Sequence, residues 1–265
     1  MKKKLIIINI VLTAIACISL FSLLNKSYAI PVLMYHSINT GAAGSRLIVE
    51  PDTFRKQMKF LKDKKFNCIS LDAYVELLKS GKKPKSKAVV ITFDDGYEDN
   101  YSQAFPVLKE LSIPATIFIV TDWVGKKNML TWSQLEEMEK NNLIEIGSHS
   151  VTHNMLTRMP KEAVIIEIEQ SKQILEKALN VPINFFCYPT GAHSDFIKEL
   201  TKLAGYKAAC ATSVDKRTAL DDLFAIRRIR ISQSADNLFV FKVQVSGYYN
   251  FLKDRRIKQG KWKKY

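Results

Sequence analysis

The chain has 265 residues, 47% hydrophobic and 25% charged, with a formal net charge of +14. That balance excludes a disordered or low-complexity polymer and gives enough apolar surface for one large core or two small ones. Three cysteines outside the first apolar run, Cys68, Cys187 and Cys210, are odd in number and show no paired spacing, which excludes a disulfide-built scaffold and reads as small buried core residues.

The first 29 residues differ from the rest. Met1-Lys2-Lys3-Lys4 is a basic start, and Leu5 to Leu24 is a run of twenty residues without a charge. A hydrocarbon core takes ~20 residues to cross, whereas the apolar part of a signal peptide is ~7–15. Ser27-Tyr28-Ala29 then offers small residues where a signal peptidase reads. Residues 1–29 are therefore either a membrane anchor, the reading we favour, or a signal peptide cut near Ala29. Both send the remainder out of the cytoplasm, because the lysines stay inside. Cys17 lies too far inside the run for a lipid-attachment site.

Downstream, short apolar runs alternate with amphipathic ones. Strands are predicted at Val32–Tyr35, Asn67–Ser70, Ala88–Phe93, Ala115–Val120, Ile144–Ile146, Phe185–Tyr188, Lys207–Ala211 and Ala225–Ile231. Helical spacing covers Phe54, Met58 and Leu61, then Tyr74 to Leu78, Tyr101 to Leu111, Ser133 to Asn141 and Lys161 to Leu179. Gly81 to Lys85, Ile113-Pro114 and Val181-Pro182 separate helices from the strands that follow. The expectation is an α/β fold: a distorted, incomplete (β/α) barrel of about seven to eight parallel strands in one catalytic domain over residues 30–247. Asn237 to Lys258 reads as a closing helix, weakened by Val243, Val245 and Gly247. Residues 248–265 form a basic tail, of which 253–265 holds seven basic residues and one acid. The tail reads as a solvated end or as a patch for anionic lipid or an acidic surface polymer. No aromatic-basic nucleic-acid module is visible, so no nucleic-acid partner is expected.

In such a barrel reactive residues gather where strands end. Asp94 and Asp95 follow Ala88–Phe93, His36 follows Val32–Tyr35, and His149 and His153 follow Ile144–Ile146. Asp-Asp-Gly alone is a common turn, and two histidines four apart are alone a weak signal. Combined, they make the two-histidine, one-carboxylate set that binds a divalent metal and leaves positions open. Adjacent carboxylates repel, so a cation beside them explains the pair.

"TFDDG" (92–96), "HSVTH" (149–153) and "CYPTG" (187–191) resemble the first three motifs of the NodB-homology polysaccharide deacetylases, carbohydrate esterase family four. The likeness runs from about Pro31 to Ile231. "PVLMYHSI", "DTFRKQMKFLKDKKFNCISL" and "LTWSQLEEM" resemble the subgroup containing the biofilm poly-N-acetylglucosamine deacetylases. The resemblance implies Asp95, His149 and His153 as ligands of one divalent ion, zinc foremost, with cobalt or nickel as alternatives. It implies Asp94 as general base, His36 as general acid, and Pro189 and Thr190 as the turn whose backbone N–H helps hold the oxyanion.

Two departures from the family pattern stand out. Thr190 replaces an aromatic residue, and Asn184-Phe185-Phe186 lacks an arginine that would orient the base. Arg228 or Arg230, in "AIRRIRIS", is the candidate substitute, or an ordinary strand arginine. Trp132 and Tyr97 are candidates to stack on sugar rings, and His193 reads as a loop residue. The implied activity is hydrolysis of N-acetyl groups from an extracytoplasmic acetylated polysaccharide by a monomer. The rival expectations are an O-acetyl esterase and an inactive glycan-binding module.

Overall fold

Ala88 to Phe93 is buried at every position, as a strand covered on both faces must be. It is the centre of the sheet. The structure, a computed structural model, describes residues 9, 12–13, 28–41, 46–82, 84, 86–212 and 222–258. Most of the apolar run 5–24 and the end of the basic tail lie outside the described residues. Among the described residues no helix is long and apolar enough to cross a membrane.

The strands are β1 (Val32–Tyr35), β2 (Ser37–Ile38), β3 (Ile48–Val49), β4 (Asn67–Cys68), β5 (Ala88–Phe93), β6 (Ala115–Ile119), β7 (Ile144–Ser148), β8 (Phe185–Cys187), β9 (Ala208–Cys210) and β10 (Ile229–Arg230). The main sheet runs β10-β1-β5-β6-β7-β8-β9, with β4 paired to the start of β5. Its neighbours are parallel throughout. The segment predicted as one strand, Ala225–Ile231, is divided: Ile226 bridges to Cys210 of β9, and only Ile229–Arg230 pairs with β1. It thus touches both edges of the curled sheet. The expected barrel is present, with a short and irregular closing strand. The small β2–β3 pair was not expected, because two-residue strands carry no periodicity.

Sequence chemistry sets the helices. Pro51 opens Pro51–Asp63, which buries Phe54, Met58 and Leu61. Ser70 caps Leu71–Ser80 through the Ala73 N–H, and Gly81 ends it at φ 63°. Thr131 and Gln134 form a capping box on Trp132–Glu139. The pattern read as one helix from Tyr101 begins as a π turn, Asn100–Ala104, and becomes α-helical at Phe105–Leu111. Pro106 there has no N–H to donate. The closing helix is broken at Gly247 (φ 83°) into Leu238–Gln244 and Tyr249–Lys258. The second piece, read from sequence as tail, is joined to the domain by paired bonds from Arg227 to Asp254 at 2.9 and 3.1 Å.

Strand parity divides the interior. Leu33, Tyr35, Val89, Ile91 and Phe93 face the helical layer, whereas Val32, Val90, Phe118, Phe185 and Cys187 fill the barrel with Leu71, Tyr74 and Val75. Glu145 on β7 accepts from the Leu71 N–H, holding the helix Leu71–Ser80 against one end of the barrel. Gly147 belongs to this inner layer: a Cβ there would lie 2.6 Å from the Phe118 ring. The chain enters the barrel at Ala29, whose N–H bonds Gly247 O at 2.9 Å, with Tyr28 edge-on to Tyr248.

Candidate active site

The inward parity that buries Val90 and Thr92 continues to Asp94, and the parity of Glu145 and Gly147 continues to His149. These side chains therefore meet in the last layer of the barrel, at the C-terminal ends of the strands. Asp95 leaves the strand at φ 75°, a left-handed conformation that aspartate tolerates better than most residues. The turn sends the two carboxylates to different partners.

Asp94 is 3% exposed and meets Arg228 in a fork: Nη1 to Oδ1 at 2.6 Å and Nη2 to Oδ2 at 2.7 Å. The remaining guanidinium donors go to Thr92 Oγ1 (3.1 Å), Ala211 O (3.2 Å) and Cys187 Sγ (3.0 Å). All five N–H groups are used, and the guanidinium lies over the Phe118 ring. Burial pushes the Asp94 carboxyl up, but Arg228 outweighs it and holds the group well below the usual carboxylate range. Arg228 thus takes the base-orienting contact for which the sequence offered two arginines. Arg230, the other candidate, does not: it is exposed on β10, opposite in parity to the buried Ile229 and Ile231.

Asp95 Oδ1 is the focus of the second group, 3.5 Å from His149 Nε2 and 3.4 Å from His153 Nε2. One ligand atom from each of the three residues lies within 4.8 Å of the others. His149 Nδ1 is 2.7 Å from Cys187 O. A carbonyl only accepts, so Nδ1 carries the proton and Nε2 presents its lone pair to Asp95. A lone pair facing a carboxylate oxygen needs a positive charge between them. Burial, then the charge of Asp94, pushes Asp95 up to about 7, and burial lowers His149 to about 3. The donor set thus fits a divalent cation in chemistry and spacing. A second grouping, Asp94, His149 and Cys187, is also close, but the Arg228 guanidinium already fills that corner.

His36 lies at the end of β1 with Nε2 4.0 Å from Asp94 Oδ2. Its carbonyl accepts from Asn100 Nδ2 at 2.7 Å, and Asp99 accepts from Ser37 Oγ and the Ile38 N–H. Burial lowers His36 to about 4 against the opposing pull of Asp94. Nδ1 is buried and meets no hydrogen-bond partner among the described residues. The structure brings Asp94, Asp95, His36, His149, His153 and Arg228 to one end of the barrel.

Pro189 and Thr190 follow β8 in a short turn with Thr190 at φ 61°. The Gly191 N–H bonds Tyr188 O, and a Cβ on Gly191 would lie 2.4 Å from the Thr212 side chain and 2.7 Å from its backbone nitrogen. His193 stacks on Tyr188 with ring centroids 5.2 Å apart, a loop residue as expected. Tyr97 lies beside Asp95, and its hydroxyl favours the charged form of that carboxyl. Trp132 begins a helix and packs against the core. Trp123 adds a ring to the site, 5.2 Å from the His153 ring, a residue that sequence reading missed. It follows β6 by four positions, so the strand-end rule that picked out the histidines would have found it. Cys187 was read as core packing; it is buried, and its sulfur also touches Arg228 and lies 3.7 Å from Asp94.

A profile of the polysaccharide deacetylase family matches residues 81–209. The YxkH protein of Bacillus subtilis (strain 168) is 32% identical over 207 residues, 78% of this chain and 73% of that protein. The poly-beta-1,6-N-acetyl-D-glucosamine N-deacetylase of Staphylococcus aureus (strain MRSA252) is 32% identical over 202 residues, 71% of this chain and 69% of that protein. Among solved structures, the Streptococcus pyogenes deacetylase PplD in complex with acetate aligns with a TM-score of 0.73 at 31% identity, covering 80% of this chain and 97% of that one. With relatives this similar over most of their length, and with the curled parallel sheet they share, the chain belongs to the polysaccharide deacetylase family, hydrolases of carbon–nitrogen bonds.

Proposed function

We propose that the protein is a divalent-cation-dependent N-deacetylase that releases acetate from an extracytoplasmic polymer of N-acetylglucosamine, with poly-N-acetylglucosamine the first candidate and peptidoglycan the second. The observation that carries this reading is the division of labour between adjacent carboxylates: Asp94 is forked by Arg228, while Asp95 stands between the imidazoles of His149 and His153. The named activity of the Staphylococcus aureus relative supports the choice of polymer.

Asp95, His149 and His153 would hold the cation, which when bound would supply positive charge to acidify water and polarise a carbonyl oxygen. Asp94, kept ionised and fixed in orientation by Arg228, accepts the proton of the attacking water. His36 rests neutral because it is buried. It receives that proton across the 4.0 Å gap to Asp94 and gives it to the departing nitrogen. An amide anion is a very poor leaving group, so this last transfer is needed for C–N cleavage. The Thr190 N–H, presented by the turn that Gly191 permits, donates to the developing oxyanion, a contact worth about 3 kcal/mol when preorganised.

We also read residues 5–24 as a tether that keeps the domain outside the cytoplasmic membrane, with cleavage near Ala29 as the alternative. In support, the lysines precede the apolar run, and the chain enters the domain at the start of β1, opposite the site.

Acetate release from a panel of N-acetyl and O-acetyl oligosaccharides, with a chelated control, tests the reading. Release from N-acetylglucosamine oligomers, lost with chelator and restored by zinc, cobalt or nickel, is the expected result. Release from O-acetyl glycans alone would make the protein an esterase. Binding without any release would make it a glycan-binding module.

A further inference from the structure

The segment between the two imidazoles, Ser150-Val151-Thr152, is held from outside by one side chain. Glu167, on the helix Lys161–Leu179, is 4% exposed. Its Oε2 accepts from the Val151 N–H at 2.9 Å and the Thr152 N–H at 3.0 Å, and its Oε1 accepts from the Thr152 hydroxyl at 2.6 Å. Among the described residues no lysine or arginine is paired with it. A buried carboxylate has thus spent its hydrogen bonds on the loop that carries His149 and His153.

That loop needs holding. Ser150 (φ 67°) and His153 (φ 65°) are both left-handed, a conformation that L side chains adopt only when the surroundings impose it. Ser150 Oγ accepts from the His153 N–H, and one helical turn beyond Glu167, Ser171 bonds Ser148 Oγ at 2.7 Å. The helix therefore grips the end of β7 and the loop that follows it.

We propose that Glu167 is a positioning residue of the cation site: it locks Ser150 to His153 in the strained turn that aims both imidazoles at Asp95, and adds a second buried negative charge beside them. The inference rests on the cation-dependent reading above, and goes beyond it by assigning a residue remote from the motifs. Outer partners of this kind set metal affinity, and their loss costs ~10–100-fold.

The test is zinc affinity of the purified full chain, measured by competition with a chromophoric chelator, so that turnover plays no part. Glu167→Ala, which removes both grip and charge, should weaken zinc binding ~10–100-fold. Glu167→Gln keeps acceptors for the two amides and removes the charge, so its affinity should fall between wild type and Glu167→Ala. Glu169→Gln, an equal charge change at an exposed site on the same helix, should bind like wild type. Wild-type affinity in both Glu167 variants would overturn the inference, as would an equal loss in Glu169→Gln and Glu167→Gln. Should Glu167→Ala not fold, unchanged affinity in Glu167→Gln alone would overturn it. Absence of zinc binding by the wild-type chain would instead sink the cation-dependent reading itself, so the two failures are distinct.

Discussion

Arg228→Met should convert the Asp94 site from a paired charge to a buried lone one. Methionine roughly matches the length of the aliphatic stem but leaves five hydrogen-bond acceptor contacts unserved, at Asp94 Oδ1 and Oδ2, Thr92, Ala211 and Cys187. Breaking a buried ion pair from one side costs ~3–5 kcal/mol. At ~2–4 °C per kcal/mol for a chain near this size, the melting temperature should fall by roughly 6–20 °C. The pH dependence carries the sharper signature. In the wild type the folded-state pKa of Asp94 lies below its unfolded value, so its contribution is present above the unfolded pKa and lost as pH falls through the folded one. Without Arg228, burial governs and the folded pKa rises above the unfolded value, so the variant loses stability as pH rises and Asp94 is forced to ionise. Denaturant unfolding of chelated protein at about pH 4 and about pH 7 should therefore show a gap between wild type and variant that is wider at the higher pH. The acid limb of kcat/KM should also move to higher pH. Equal gaps at the two pH values, with an unmoved acid limb, would refute the coupling between Arg228 and Asp94.

Asp94→Asn should keep zinc and lose ~10²–10⁴ of kcat, whereas His149→Ala should lose zinc itself; equal zinc content and equal residual rates in the two variants would undo the assignment of roles. His36→Ala should bind zinc normally and slow amide hydrolysis more than hydrolysis of an activated ester, measured as the ratio of the two rates, and loss of zinc would instead make His36 a ligand. Gly147→Ala pushes a methyl group to within 2.6 Å of the Phe118 ring; thermal unfolding should report ~1–3 kcal/mol of overpacking, and an unchanged melting temperature would show that the inner layer has room to yield.

What could be read from the linear chain depended on how local each signal was. Asp94, Asp95, His36 and His149 stand directly after apolar runs, so the strand pattern alone brings them to one rim. Arg228 and Arg230 could not be separated by pattern, because both lie in "AIRRIRI" two residues apart and so share one strand face; the first is buried against Asp94 and the second is exposed. Glu167 left no local trace of its role. It lies inside an amphipathic helix, 15 and 16 residues from the amides it holds, and its place on the buried stripe with Val164, Ser171 and Leu175 marks it as covered without saying what it holds. Cys187 was legible as buried but not as a neighbour of Arg228, since that contact spans 41 residues. Asp99 is similar: it looks like a turn residue after Asp-Asp-Gly, and its role is to hold Ser37 and Ile38 across 62 and 61 residues.

The bond between the Ala29 N–H and Gly247 O ties the entry of the folded domain to the break in its closing helix at one end of the barrel, while the ionisable cluster opens at the other. The six-residue β5 separates them, a height of roughly 20 Å at ~3.3 Å per residue. Were the domain held by residues 5–24, as proposed, that spacing would set the mouth about a barrel's height above the point of attachment, out of reach of sugar rings lying beside that point. The same geometry gives a practical rule: attachment to a support at Tyr28 or beyond Gly247 leaves the mouth facing open solution.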